Sequence, residues 1–402
     1  MRILFICNKS PWPPREGGPI AMNAMIEGFL EQGNQVKVLA INSNKYNVDI
    51  NTIPEVYRSK TKIELVYTDL RIKPLDAFFN LFTARSYHVK RFITKDLAKT
   101  IKRILTESQF DIIQLETLFV TPYISLIRQL SKAPIVLRAH NIEHLIWERL
   151  FQREKNLLKR FYLKHLYETL KNYEIKMIRE VDGIIAITST DASFFSHFIS
   201  SEKIIAIPFG INDDMLNSVE KRPLAEPSNC IFHIGSMNWL PNVEGINWFL
   251  KEVWPDLKEK TPGIKFRIAG REMPEWLTHF NDPDVVVDGE VADAIDYMRK
   301  YRIMVVPLFS GSGIRIKIIE GMMTGCVVLT TTIGAEGIEY SNGQNILICN
   351  TKSDFIDSIS MILKNESMVE SLSKAASEFI RKNHSNSLLI RELESFYNRI
   401  IN

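Results

Sequence analysis

Two successive series of short apolar runs dominate this chain, each run rich in β-branched residues and followed by an amphipathic stretch of helical length. In the first series the strand segments are 2–7, 35–41, 63–67, 111–115, 134–138, 183–187 and 203–207. Helical patterns lie between them at about 19–32, 93–107, 119–130, 143–180 (broken) and 190–200. A polar stretch with two prolines, 215–228, interrupts the pattern, and a second series begins at 230–234. It continues with strand segments 264–269, 285–288, 303–307, 327–331 and 345–349, and ends in a polar helical tail after 366. Runs apolar on both faces, alternating with helices, fold as parallel sheets covered on both sides. The expectation is α/β: two Rossmann-like doubly wound domains facing across a cleft, at 1–214 and 229–384, with 215–228 as linker. In such sheets ligands meet the carboxyl ends of the strands, so motifs that follow strands carry the most weight.

Length and composition agree with this reading. At roughly 100–200 residues per domain, 402 residues make two domains the simplest fit. A hydrophobic content of 45% with 24% charged residues excludes a disordered chain. No apolar run approaches the ~18 residues that cross a bilayer. The run Ile3–Cys7 is too short for a secretory signal and reads as a first strand. Cys7, Cys230, Cys326 and Cys349 stand singly in apolar runs, which suits buried thiols in a reducing cytoplasm.

The net charge of +3 conceals an asymmetry: residues 1–200 carry 29 Lys+Arg against 20 Asp+Glu, and residues 201–402 carry 21 against 27. Residues 71–103 and 149–179 hold nine cations each, interleaved with Phe78, Phe79, Phe82, Tyr87, Phe92, Phe151, Phe161, Tyr162 and Tyr167. Such a surface suits an anionic membrane or a phosphorylated acceptor. The alternative is a solvated helix face with its aromatics turned to the core. No nucleic-acid-binding motif is present, and none is expected to be used.

The most informative segment is Pro307-Leu308-Phe309-Ser310-Gly311-Ser312-Gly313-Ile314-Arg315-Ile316-Lys317-Ile318-Ile319-Glu320-Gly321. A strand ends, a small-residue loop follows, and a helix starts near Gly313. Unpaired N–H groups at the helix start, with glycines that let a ligand approach, suit a diphosphate. Arg315 and Lys317 place cations where the helix dipole disfavours them, which argues for an anionic partner. Glu320 is suited to accept from a ribose diol. The bland alternative is a plain helix with Lys317 and Glu320 as a surface pair.

Other candidates also follow strands. The loop Asn8–Pro19 contains Gly17 and Gly18 before a helix, without the GxGxxG fingerprint of dinucleotide folds. His140 and Asn141 follow segment 134–138, and Glu116 follows 111–115 at the same level. Ser236 and Asn238 follow 230–234 beside Trp239, and Arg271 follows 264–269. Asp282-Pro283-Asp284 is formally DxD but precedes its strand, so it reads as a turn. No spacing suggests a metal site.

Together these residues resemble the GT-B glycosyltransferases of family 4 (glycosyl transferases group 1). The resemblance is strongest in 311–339 and extends to 233–250, 262–271, 207–212, the N-terminal glycine loop and His140-Asn141. It implies transfer of a sugar from a nucleotide-diphosphate sugar, with retention and without a metal or other cofactor. It places Gly313, Arg315 and Lys317 at the diphosphate, Glu320 at the ribose, Gly17 and Gly18 over the donor and His140 beside the transferred sugar, with Gly311, Ser312 and Ile314 also donor-binding and His140, Arg315 and Lys317 catalytic. Ser236, Asn238 and Arg271 join the donor side, and Glu116 and Asn141 the acceptor side. The last helix, about 385–402, would return to the first domain. The acceptor implied is a glycan or lipid-linked glycan, in surface polysaccharide or glycoconjugate synthesis, at the inner face of the cytoplasmic membrane. The pattern departs where family members carry the first glutamate of a pair, here Ser312, and where they carry Arg and Lys, here Ser236–Trp239. Rival readings are a non-catalytic nucleotide-sugar-binding partner of another transferase and a nucleotide-sugar epimerase on the same fold.

Overall fold

The computed structural model describes residues 1–14, 17–220, 229–311 and 314–402. Candidates Ser312 and Gly313, and most of the segment 215–228, lie outside or at the edge of the described residues. The chain forms two compact units, Met1–Gly210 with Asn386–Asn402, and Ile211–Ser385. The break falls at Gly210, and a helix occupies Asp213–Glu220 where the polar composition suggested linker.

The first unit is built on seven parallel strands: β1 (Arg2–Cys7), β2 (Gln35–Ser43), β3 (Glu64–Thr68), β4 (Ile112–Glu116), β5 (Ile135–Ala139), β6 (Gly183–Ala186) and β7 (Ile204–Ala206). Their order is β3-β2-β1-β4-β5-β6-β7, so the winding reverses between β1 and β4. Strand β1 shows why the run is apolar throughout. Ile3, Phe5 and Cys7 enter one core, while Leu4 and Ile6 enter the core on the opposite face. The first of these cores is completed by the final helix, Asn386–Ile401. Its Leu389, Ile390, Leu393, Phe396 and Tyr397 recur on one stripe, and Tyr397 stacks on Phe29 at 5.7 Å.

The second unit repeats the plan with six parallel strands: β8 (Cys230–Ile234), β9 (Lys265–Ala269), β10 (Val285–Gly289), β11 (Ile303–Val306), β12 (Val327–Thr330) and β13 (Leu347–Ile348). Their order is β10-β9-β8-β11-β12-β13, with the reversal between β8 and β11. A core of Ile231, Phe249, Trp254, Phe266, Val305, Leu329 and Phe355 lies on one face.

Differences from the sequence reading are local. The stretch 143–180 divides into Glu143–Arg153 and Leu157–Glu180, with Asn156 capping the second helix by accepting from Lys159 N–H at 3.1 Å. Helices at Glu55–Thr61, Pro74–Asn80 and Tyr87–Lys90 occupy stretches too short for a clear period. The cysteines are free, and Cys230 is only half-buried. Asp282 and Asp284 both pair with Lys258, at 2.8 and 2.7 Å, and Asp282 also accepts from Trp254. That pairing, at the amino end of β10, makes Asp282-Pro283-Asp284 a structural turn. Among the described residues no helix is long and apolar enough to cross a membrane.

Candidate functional site

In the second unit the loops after β8, β9 and β11 converge at the carboxyl ends of the strands. Lys317 is the centre of the group. The helix that carries it, Ile316–Met323, begins three residues later than expected, with Arg315 as its N-cap and no side-chain cap. Lys317 Nζ donates to Asn242 Oδ1 at 2.8 Å and lies 3.4 Å from His233 Nε2. His233 is buried in β8, and its Nδ1 lies 2.8 Å from the Val305 carbonyl. A carbonyl only accepts, so Nδ1 carries the proton and Nε2 offers its lone pair to Lys317. Burial pushes His233 well below the usual imidazole range, and the charge of Lys317 adds to this. Burial likewise pushes Lys317 down to about 7, with the Arg315 charge contributing. Lys317 therefore turns inward and does not form the surface pair with Glu320 considered above.

Arg315 is buried, with its guanidinium 5.1 Å from the Trp239 ring centroid. Gly311 admits this packing: its φ is 103°, and a Cβ there would fall 2.8 Å from Trp239 and 3.0 Å from Arg315 Nη2. Gly270 has φ 148°, and a Cβ would fall 1.9 Å from the Gly235 carbonyl oxygen, so β8 and β9 exit in backbone contact. Ile314 is half-buried. Glu320, on the next turn of the helix, is pushed up to about 7 by burial, with the charge of Asp293 adding.

The remaining second-unit candidates are more peripheral. Ser236 Oγ donates to Asn238 Oδ1 at 3.0 Å, and exposed Asn238 donates to Glu272 at 2.9 Å. Arg271 is exposed, and its carbonyl accepts from Met237 N–H. The amide that holds Lys317 thus comes from Asn242, in the helix Leu240–Trp248, and not from Asn238.

In the first unit a second polar group lies at the ends of β4 and β5. His140 Nε2 is 2.6 Å from Glu116 Oε2, and Arg138 Nη1 is 3.7 Å from Glu116 Oε1. Gln114 donates its amide N–H to Glu116 and accepts from the Tyr397 hydroxyl of the final helix. Arg138 also donates to the Ala21 carbonyl at 3.0 Å. Burial alone would raise the Glu116 pKa, but Arg138, His140 and Gln114 outweigh it and hold the carboxyl low. His140 is lowered by burial, against the opposing pull of Glu116. Glu116 is fully buried beneath His140, so it positions that ring and is not an open acceptor contact. Thr117, the next residue, adopts φ 80°, a strained backbone for a β-branched side chain.

Asn141 bonds the side chain of Glu143, whose carboxyl is pushed up to about 8 by burial and by Glu174. Glu174 caps that helix start by accepting from Glu143 N–H at 2.9 Å and His144 N–H at 3.0 Å. Gly17 begins the helix Gly17–Glu31, and a Cβ at Gly18 would fall 2.9 Å from Lys9 Cε. Sequence reasoning missed His233, Asn242, Arg138, Gln114 and Tyr397. His233 and Gln114 carried one signal, a polar residue inside an otherwise apolar strand. Among the described residues no cluster of three or more His, Cys, Asp or Glu could hold a metal ion.

Two doubly wound units, the second with buried Arg315 and half-buried Lys317 near the carboxyl ends of its strands, place the chain among α/β folds that bind ligands at such switch points. Residues 228–365 match the family of glycosyl transferases group 1, and residues 20–215 match glycosyltransferase family 4. The chain belongs to this GT-B group 1/family 4 type and is a glycosyltransferase. A Klebsiella pneumoniae protein described as an uncharacterised 44.6 kDa protein in a cps region is 22% identical over 399 residues, covering 95% of this chain and 96% of its own. Among solved structures, sucrose-phosphate synthase from Thermosynechococcus elongatus is similar at TM-score 0.70 and 14% identity, covering 100% of this chain and 99% of its own. Anabaena HepE, solved in complex with UDP, is similar at TM-score 0.66 and 12% identity, covering 99% and 100%. A mutant of S. aureus TarM, solved with fondaparinux, alpha-GlcNAc-glycerol and UDP, is similar at TM-score 0.66 and 12% identity, covering 99% and 100%. These likenesses show the fold.

Proposed function

We propose that this glycosyltransferase takes its sugar from a nucleoside-diphosphate sugar bound at the β8/β11 switch point, retains the anomeric configuration and needs no metal. The acceptor is a glycan or lipid-linked glycan of surface polysaccharide synthesis, a reading supported by the cps-region setting of the Klebsiella relative. One observation carries the proposal: Lys317 held by Asn242 and His233, with Arg315 beside it, at the carboxyl ends of the strands.

When the bond from the anomeric carbon to the diphosphate breaks, negative charge grows on the leaving oxygen. Fixed cations in a poorly hydrated site stabilise that charge without reorganising. Lys317 has three N–H donors; Asn242 and His233 orient two, and the third is assigned to the diphosphate. Arg315 supplies the second charge. Glu320 is assigned to the ribose hydroxyls, Gly311 and Ile314 to the backbone beside the phosphates, and His140 to the transferred sugar, with Glu116 fixing its ring. Ser236, Asn238 and Arg271 are assigned to the outer donor contacts, and Gly17 and Gly18 to the backbone that covers the donor.

Nucleoside diphosphate release, measured over a panel of nucleotide sugars with glycan and lipid-linked acceptors, tests the proposal. Lys317→Ala should lower kcat by on the order of 10²-fold. A kcat at the wild-type level in Lys317→Ala would remove the leaving-group role. Acceptor-independent conversion of the donor would instead favour an epimerase.

A further inference from the structure

The first unit keeps a set of large apolar side chains in water. Along and after the helix Pro74–Asn80 these are Ile72, Leu75, Phe78, Phe79 and Phe82, and at the start of the helix Leu157–Glu180 they are Leu157, Leu158 and Phe161. All eight are between 55% and 85% exposed. Phe78 meets Phe79 and Phe82 edge-on, at 5.8 and 5.7 Å, so the aromatics form one cluster. The two segments share a side of the unit. His165 Nε2 lies 3.1 Å from the Asn80 carbonyl, and Leu158, Phe161 and His165 recur at steps of three and four along one helix stripe. Tyr87 and Phe92, from the same basic stretch, are buried. The core therefore takes some of these aromatics and leaves two exposed apolar sets on segments joined by the His165 contact, and such exposure marks an interaction surface.

Its rim is cationic. Exposed Arg71, Lys73, Arg85, Lys90, Lys155, Lys159, Arg160 and Lys164 flank the apolar tips. Asp69, Glu154 and Glu168 pair with Arg71, Lys159 and Lys164. No ion pair among the described residues engages Lys73, Arg85, Lys90 or Lys155. A second copy on this face would oppose like charges, and protein interface cores are depleted in lysine. Phenylalanine and leucine beside lysine and arginine match the surface of an anionic bilayer, where apolar tips enter the headgroup region and cations meet phosphate. We propose that this face docks the protein on an anionic lipid surface through Phe78, Phe79, Phe82, Leu157, Leu158 and Phe161, with the flanking cations supplying the preference for negative lipid.

The inference goes beyond the transferase reading, and its test needs no sugar nucleotide. Full-length protein is sedimented with vesicles of phosphatidylcholine alone or with about one-third phosphatidylglycerol. Binding should require the anionic lipid and weaken as salt is raised. Phe78→Ser/Phe79→Ser/Phe82→Ser and Leu157→Ser/Leu158→Ser/Phe161→Ser should each cut the bound fraction about tenfold or more. Thermal midpoints should hold in both variants, because these side chains are already exposed. Wild-type protein that ignores anionic vesicles, or serine variants that bind like wild type, would overturn the proposal. So would concentration-dependent dimerisation that the serine variants abolish, since a second copy would then occupy the face. Nucleoside diphosphate binding, followed by thermal shift in the same variants, should be unaffected, so failure at the lipid leaves the transferase reading standing.

Discussion

A lysine brought close to neutrality is a poor charge in the free protein and a strong one once a diphosphate arrives. Lys317 is in that position, because burial and then Arg315 push its pKa down to about 7. A bound diphosphate favours the ammonium form and raises this pKa, so the ligand binds the protonated protein more tightly. The Lys317 contribution to affinity for a nucleoside diphosphate should be constant below about pH 7 and fall as pH rises above it, until the pKa of the complex is reached. At about pH 8 binding should take up about one proton, offset by any release from Glu320, whose pKa is also about 7. Calorimetry in two buffers of different ionisation enthalpy measures that uptake. Lys317→Met should abolish the proton uptake at about pH 8, and an uptake that survives it would assign the proton elsewhere.

The strands and long helices were legible because each is specified by local pattern. A β-branched run such as Ile3–Cys7 has few alternatives once both its faces are buried. His140 directly follows such a run, and Arg315 and Lys317 open the helix that comes after one, so all three stood out in the sequence for a related reason. His233, Asn242 and Tyr397 were not, because their roles depend on register. His233 reaches Val305 only through the pairing of β8 with β11, and Tyr397 reaches Gln114 only when the final helix packs on the first sheet. That helix makes a testable contribution to the strand-end network. Tyr397→Phe deletes one buried hydroxyl and strands its acceptor on Gln114, costing about 1–3 kcal/mol. Glu116→Gln leaves the guanidinium of Arg138 buried without its counter-charge and should cost more, about 3–5 kcal/mol. Denaturant unfolding orders the two. Equal losses would mean that Glu116 does not compensate Arg138.

At the scale of the whole molecule, the chain leaves the first unit at Gly210, builds the second, and returns for its last seventeen residues, Asn386–Asn402. The return is energetically large. Leu389, Ile390, Leu393, Phe396 and Tyr397 are all buried in the first unit's core, and at roughly 1.5–3 kcal/mol each their burial amounts to about 10 kcal/mol. A domain's entire stability is about 5–15 kcal/mol. Ending the chain at Ser385 should therefore unfold the first unit while leaving the strands and loops around Lys317 complete, since Ile211–Ser385 contributes all of them. Calorimetry of the full chain and of the truncated chain, each with and without a nucleoside diphosphate, separates the two units. The truncated chain should lose the transition of the first unit and keep one transition that the diphosphate still raises, as ligand linkage requires. A surviving transition that ignores the diphosphate would place the binding determinants outside the second unit and would reassign Lys317 to a structural role.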